Sequence, residues 1–224
     1  MIDANQTLGD LATTHPAATT VFLRHRLDFC CAGGRKLADA CRTAGIDPAT
    51  VVAELAELAG GAKDGEALAR WDTAPLAELV DHIYNRYHEA HRRDLPALVA
   101  AARKVERVHA DKPSCPHGLA DHLARVEAEM YAHMAKEEQI LFPALASGHR
   151  GPSVHMPIRV MMHEHEEHGA SLGRIRDLTG DLMPPEGACR TWRALYAGLE
   201  QLEAELMEHI HLENNVLFPR ALNG

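Results

Sequence analysis

Two segments of the chain repeat a histidine and a glutamate four residues apart: His133-Met134-Ala135-Lys136-Glu137 and His209-Ile210-His211-Leu212-Glu213. Residues four apart share one face of an α-helix. In both segments that face is otherwise apolar. Leu119, Leu123, Val126 and Met130 precede His133 and Glu137, with Ile140 and Leu141 beyond; Trp192, Leu195, Leu199, Leu202 and Leu206 precede His209 and Glu213, with Val216 beyond. Imidazoles and carboxylates inside a core-facing stripe are costly unless paired or bound to a metal. The composition points the same way. Histidine is the commonest metal ligand, and the chain has 16 histidines against four Phe, four Tyr and two Trp.

These residues need helices to carry them. Two further stripes recur at spacings of three and four: Leu76, Val80, Ile83, Tyr84, Tyr87, His88, His91, Leu95 and Leu98, then Ile158, Met161, His165, His168, Leu172 and Ile175. Each reads as an amphipathic helix facing a common core. Clusters of Gly, Pro and Ser at 111–116, 147–152 and 180–187 separate the four. Strand signals are absent. The expectation is an all-α fold built on an antiparallel four-helix bundle.

Antiparallel geometry then tests the metal reading. Residues at equal height in a helical hairpin are equidistant from its turn. His88 and His133 centre on the turn at Asp111, His133 and His165 on the turn at His149, and His165 and His209 on Gly187. Three independent turns put four histidines on one level. A lone core histidine is usually just hydrogen-bonded; four on one level with two carboxylates form a candidate site: His88, His133, Glu137, His165, His209 and Glu213. His109 lies about 31 Å along the helix from His88 at ~1.5 Å per residue, and belongs to the turn. His168 is a candidate fifth imidazole. Glu129, one turn before His133, and Glu164, beside His165, are candidates for a place behind the ligands or on a path to the metal.

Four imidazoles and two carboxylates exceed what one tetrahedral zinc takes. They suit two irons, each with two histidines, bridged by both carboxylates. A ferritin-type site uses Glu-x-x-His on two helices. That spacing occurs at Glu208-x-x-His211, but the other site-bearing helices lack it, so a haemerythrin-like, oxo-bridged di-iron centre with exchangeable positions is the better reading.

The first sixty residues read differently, as short helices around a loop. Thr7 to Asp10 has the form of a capping box. Pro16 opens a helix to about Arg26. Leu27 to Gly34 is a loop carrying Cys30-Cys31 and ending in Gly33-Gly34. A short helix runs near Arg35 to Thr43, and Asp47-Pro48 caps another from Val51 to Leu58. This gives a small helical module over 1–60, a glycine-rich linker over 61–73, and the bundle over 74–224. Five cysteines without C-x-x-C pairs argue against a Cys-type zinc site or a disulfide framework. Adjacent Cys30 and Cys31 favour thiol–metal or thiol–nitric oxide chemistry. The net charge of −9 counts against nonspecific nucleic-acid binding. No stretch nears the ~20 apolar residues of a membrane span, and no signal peptide is evident, so a cytoplasmic chain is expected.

Four phrases resemble a known family. They are Leu27-Asp28-Phe29-Cys30-Cys31-Ala32-Gly33-Gly34, Arg86-Tyr87-His88, the run from His133 to Pro143, and the run from Leu212 to Pro219. Together they are similar to the repair of iron centres family of the YtfE and ScdA type, over nearly the whole chain. The resemblance implies a cytoplasmic di-iron protein with a haemerythrin-like bundle. It also implies a role in restoring iron–sulfur clusters damaged by nitric oxide or oxidants. The family's site pattern maps onto the six residues chosen by spacing. The stripe from Ile158 to Ile175 departs from it in being richer in His and Glu around His165.

The leading expectation is therefore iron supply to damaged iron–sulfur proteins, with Cys30 and Cys31 taking part in transfer. The alternatives are an enzyme reducing nitric oxide at a di-ferrous pair, and a binding module for dioxygen or nitric oxide. Homodimerisation is left open.

Overall fold

The computed structural model describes residues 2–61 and 71–223. The linker expected over 61–73 falls largely outside the described residues. Among these, the ordered elements are helical, and the only β pairing is an isolated bridge between Thr7 and Lys36.

The N-terminal helices form where the caps allow. α1 spans Leu8–Thr14; the Thr7 hydroxyl accepts from the Asp10 amide at 3.1 Å. This satisfies one of the donors that a helix start leaves open. α2 (Ala18–Arg24) comes next, then α3 (Leu37–Ala44), which ends at Gly45 in the left-handed conformation with φ 71°. α4 (Pro48–Gly61) begins with proline in its first turn, and the Asp47 carboxylate accepts from Ala49 N at 3.0 Å. Leu8, Leu11, Phe22, Phe29, Leu37 and Leu55 form a shared buried core.

The long helices are interrupted rather than uniform. α5 (Leu76–Ile83) runs through the π-helical segment π1 (Tyr84–His88) into α6 (Glu89–Val108). α7 (Leu119–Lys136) runs through π2 (Glu137–Leu141) into α8 (Phe142–Ala146), and α9 spans His155–Thr179. α10 (Arg190–His211) runs through π3 (Leu212–Leu217) into α11 (Phe218–Asn223). Contacts divide the chain into two compact units: Met1–Asp81 with Leu145–Met156 and Met207–Gly224, and His82–Ala144 with Pro157–Leu206.

The second unit contains α6, α7, most of α9 and α10 as far as Leu206. Its core is the predicted set of stripes: Leu95, Leu123, Met130, Ile158, Trp192 and Leu199 are all buried. The helix is continuous through Pro96. Between α6 and α7 the chain reverses at Gly118, whose φ of 87° strains any L side chain. The Glu106 carboxylate closes this corner by accepting from Ala120 N at 2.8 Å. Arg176 joins α9 to Glu203 of α10, with Nε 2.6 Å from Oε1. In the first unit, α1 packs on π3.

Two stripe residues face outward instead of inward. Tyr84 is 38% exposed and Ile140 is 60% exposed. Both lie in π segments. A π turn closes i→i+5 rather than i→i+4, so it carries one extra residue per turn and rotates the residues beyond it. In π2 this leaves Glu137 and Leu141 buried and turns Ile140 to solvent.

This difference is measurable. Leu123→Ala empties a fully buried position and is expected to cost about 2–5 kcal/mol. Ile140→Ala is expected to stay within about 0.5 kcal/mol of wild type. Urea unfolding of the two variants checks both values; equal losses would contradict the π register.

Candidate metal centre

The π segments and the site coincide. π1 ends on His88, π2 begins on Glu137 and π3 contains Glu213. Such insertions are frequent at functional sites because they re-aim side chains within a helix.

In the bundle unit, His88, His133, Glu137 and His165 are buried together. His88 Nε2 lies 3.4 Å from Glu137 Oε2. His133 Nε2 lies 3.4 Å from the same oxygen. His165 Nε2 is 3.2 Å from His133 Nε2. In the other unit, His209 Nε2 lies 3.3 Å from Glu213 Oε1, one helical turn on, and both residues are fully buried. Within the bundle unit the ligand atoms of His133, Glu137 and His165 lie within 4.8 Å of one another, as do those of His88 and Glu137.

The far sides of two rings explain their orientation. His88 Nδ1 is 2.6 Å from Glu138 Oε1, and His133 Nδ1 is 2.9 Å from Glu164 Oε2. A carboxylate only accepts, so each contact places a proton on Nδ1; in the neutral ring this leaves Nε2 as a lone pair. Glu138 is clamped in turn by Arg92 Nη2, at 2.6 and 2.7 Å from its two oxygens. Burial raises the Glu138 carboxyl, but hydrogen bonds from Arg92 and His88 more than offset this and hold it below the usual carboxylate range. Lys136 engages the other oxygen of Glu164.

The donor set fits a cation. Nε2 of His88 and of His133 both face an oxygen of buried Glu137; in the neutral rings these are acceptors turned toward one another, an arrangement a bound cation satisfies. A carboxylate behind the imidazole is the usual second partner of a metal-ligating histidine.

The remaining candidates fall in different places. Glu164 supports His133. His168 is buried, its ring centroid 5.0 Å from that of His133. Glu129 is exposed on α7. His109 sits apart, with Nε2 3.3 Å from Cys189 Sγ and its ring packed on Trp192.

Cys30 and Cys31 lie in the first unit with their sulfurs 3.7 Å apart. Cys30 Sγ is 3.3 Å from Asp28 Oδ1. Cys30 is buried and Cys31 half-buried. The hydrogen bond with Cys31, burial and the negative charge of Asp28 together push the Cys30 thiol well up, so it stays protonated at neutral pH. Asp28, Cys30 and Cys31 form a third group with ligand atoms within 4.8 Å of one another.

Sequence reasoning missed Glu138 and Arg92 as supports of His88. Glu138 lies inside the quoted run, but its partner is on another helix. It also missed Asn214 and Asn215, which reach from π3 to the Cys30 loop. Only the adjacency of Glu213-Asn214-Asn215 hinted at their place. His211 is buried as well. Burial pushes its imidazole down to about 4, so the ring is neutral and its Nδ1 accepts from Asn215 Nδ2 at 3.1 Å.

Removing the support of His88 is expected to weaken metal binding without removing a ligand. Glu138→Ala should lower affinity by about 10–100-fold. Glu129→Ala, at an exposed position, should leave it unchanged. Competition with a calibrated chelator measures both.

A family model described as the haemerythrin HHE cation binding domain matches residues 79–221. The ScdA N-terminal model, described as a domain of unknown function, matches residues 4–59. The chain is 47% identical over 220 residues to the iron–sulfur cluster repair protein YtfE of Pectobacterium atrosepticum, covering 98% of each chain. It is 49% identical to the protein of that name from Yersinia pseudotuberculosis and 48% identical to that from Citrobacter koseri, each again over 98% of both chains. With its long helices matched to a cation-binding model and the whole chain matched to these relatives, this protein belongs to the haemerythrin HHE family, in its YtfE group.

Proposed function

We propose that this chain is a cytoplasmic iron-binding protein that restores damaged iron–sulfur clusters by supplying iron from its two buried His/Glu groups. The observation that carries the reading is the burial of Glu137 against His88 and His133, and of Glu213 against His209, in a chain alike from end to end to proteins named for cluster repair. His88 and His209 would hold one ion, His133 and His165 the other, with both carboxylates common to the pair. Four imidazoles, two carboxylates and no thiolate suit iron better than a structural zinc. Bound there, iron supplies a one-electron couple and exchangeable positions for small ligands such as nitric oxide and dioxygen.

The chain's own residues have separable tasks in this reading. Glu138 and Glu164 hold the rings of His88 and His133 so that Nε2 faces inward. Arg92 and Lys136 bring positive charge to those two carboxylates. His168 packs against His133 and restricts its ring. Glu129 marks the outer end of a path toward the site. Cys30 and Cys31 take part in transfer to the damaged iron–sulfur protein. On this reading residues 1–60 act as a transfer module and residues 74–224 as the metal-holding bundle.

The test is restoration itself. Iron-loaded protein, incubated anaerobically with a nitric oxide-damaged [4Fe–4S] protein, is expected to return its cluster absorption as iron leaves the repair protein. Nitrous oxide formation with iron fully retained would instead mark an enzyme reducing nitric oxide.

Iron content checks the ligand set. The wild-type protein is expected to hold two irons per chain, each with two of the four buried histidines. Glu137→Ala and Glu213→Ala should each lose most of this iron, because each carboxylate is proposed to serve both ions. His109→Ala should keep it. Equal loss from His109→Ala, or one zinc in place of iron after iron-supplemented expression, would contradict the assignment.

A further inference from the structure

The loop carrying Cys30 and Cys31 is held by the two residues immediately after Glu213. Asn215 Nδ2 donates to Phe29 O and to Cys30 O, each at 3.1 Å. Asn214 Nδ2 donates to Cys30 O at 3.3 Å. The other half of the Asn215 amide fills a space that two glycines leave open. A Cβ added at Gly33 would stand 2.1 Å from Asn215 Oδ1, and one at Gly9 would stand 2.9 Å from it. Those glycines are joined to each other, Gly9 N donating to Gly33 O at 2.8 Å. The ring of Phe29 meets His211 edge-on at 5.7 Å, so the same helix also grips the loop by its aromatic residue. The glycine at position 33 is thus explained by the asparagine at 215: one vacates the volume that the other fills.

The position of Asn215 gives this contact a consequence. It lies two residues beyond Glu213 in the same π turn. A π turn is a local departure from the α register, and a cation bound by Glu213 holds that turn in one register. The amide that grips the thiol loop is then held with it.

We propose that Asn215 is a positioning residue that latches the Cys30–Cys31 loop to the Glu213 segment, so that metal bound through Glu213 governs how readily the two thiols are reached. The dependence on metal rests on the function proposed above; the latch does not. Coupling of this kind is reciprocal at equilibrium: if metal shields the thiols, modifying the thiols weakens metal.

The experiment measures alkylation of Cys30 and Cys31 by iodoacetamide, followed by mass spectrometry, in the full-length protein. Metal-free protein is compared with protein loaded anaerobically with ferrous ion. In the wild type, loading is expected to slow Cys30 alkylation by about tenfold, the equivalent of one or two hydrogen bonds held or released. Asn215→Asp keeps the shape of the side chain but replaces the donor with an acceptor. It is expected to label at one fast rate in both states while still binding iron. A variant that binds iron and retains the wild-type ratio would overturn the proposal, as would a wild type that binds iron with no change in labelling. A merely structural asparagine would not make labelling depend on metal.

A second comparison needs no metal. Gly33→Ala alone is expected to expose Cys30 by displacing the amide. In an Asn215→Ala background the same substitution should add nothing, because the volume has been vacated. Equal effects of Gly33→Ala in both backgrounds would overturn the latch. A wild type that bound no iron would refute the metal reading, and this metal-free comparison would still decide the latch.

Discussion

The burial of Glu137 and Glu213 governs the rest of the molecule. Both carboxylates have no exposed surface, and the four histidines beside them are almost as deeply enclosed. An isolated buried carboxylate costs on the order of tens of kcal/mol in a medium of low dielectric constant. Such a group persists only if positive charge is brought to it. Here it meets imidazole nitrogens whose protons are drawn to the opposite side of the ring by Glu138 and Glu164. Each of those supporting carboxylates is itself neutralised by Arg92 or Lys136 at the edge of the bundle. From Glu137 outward the groups therefore alternate: carboxylate, imidazole, carboxylate, cation. The fold supplies the apolar helices that keep water from weakening the sequence.

The ligand level was legible in the sequence because bundle geometry is simple. Apolar stripes identify four helices, breaker clusters locate three turns, and midpoints come from residue numbers. That route finds His88, His133, His165 and His209 without reference to any other protein. It fails where the helix is not α. Tyr84 and Ile140 fit an α-helical stripe and face solvent instead, since no pattern of apolar residues distinguishes a π turn from an α turn. The supports of His88 were also out of reach. A carboxylate one residue beyond Glu137 looks like a solvated surface group until the helix opposite places Arg92 and an imidazole against it.

The N-terminal residues show another limit. Their caps and loop read correctly: Thr7 and Asp47 cap helices, and Cys30-Cys31 lie in a loop ending at Gly33-Gly34. The glycine-rich stretch after residue 58 suggested a linker, and no sequence pattern indicated which later residues the module touches. The structure packs α1 against π3 and grips the Cys30 loop with asparagines from the C-terminal helix. Contacts between residues separated by some 185 positions leave no periodic trace. Their only signature is a pair of residues that read as something else, a glycine in the turn from Ala32 to Arg35 and an asparagine in an apolar helix. The same contact places the thiols beside the segment that carries Glu213, a carboxylate proposed to bind metal. Thiols meant to receive or shield iron would need that proximity.

The central claim is that the six residues hold two metal ions rather than a hydrogen-bonded polar core. Anomalous diffraction at the iron edge from crystals of the iron-loaded protein tests it most directly. The account predicts two anomalous peaks, one bounded by His88, His209 and both carboxylates, the other by His133, His165 and the same carboxylates. A single peak, or peaks only outside this cluster, would contradict it.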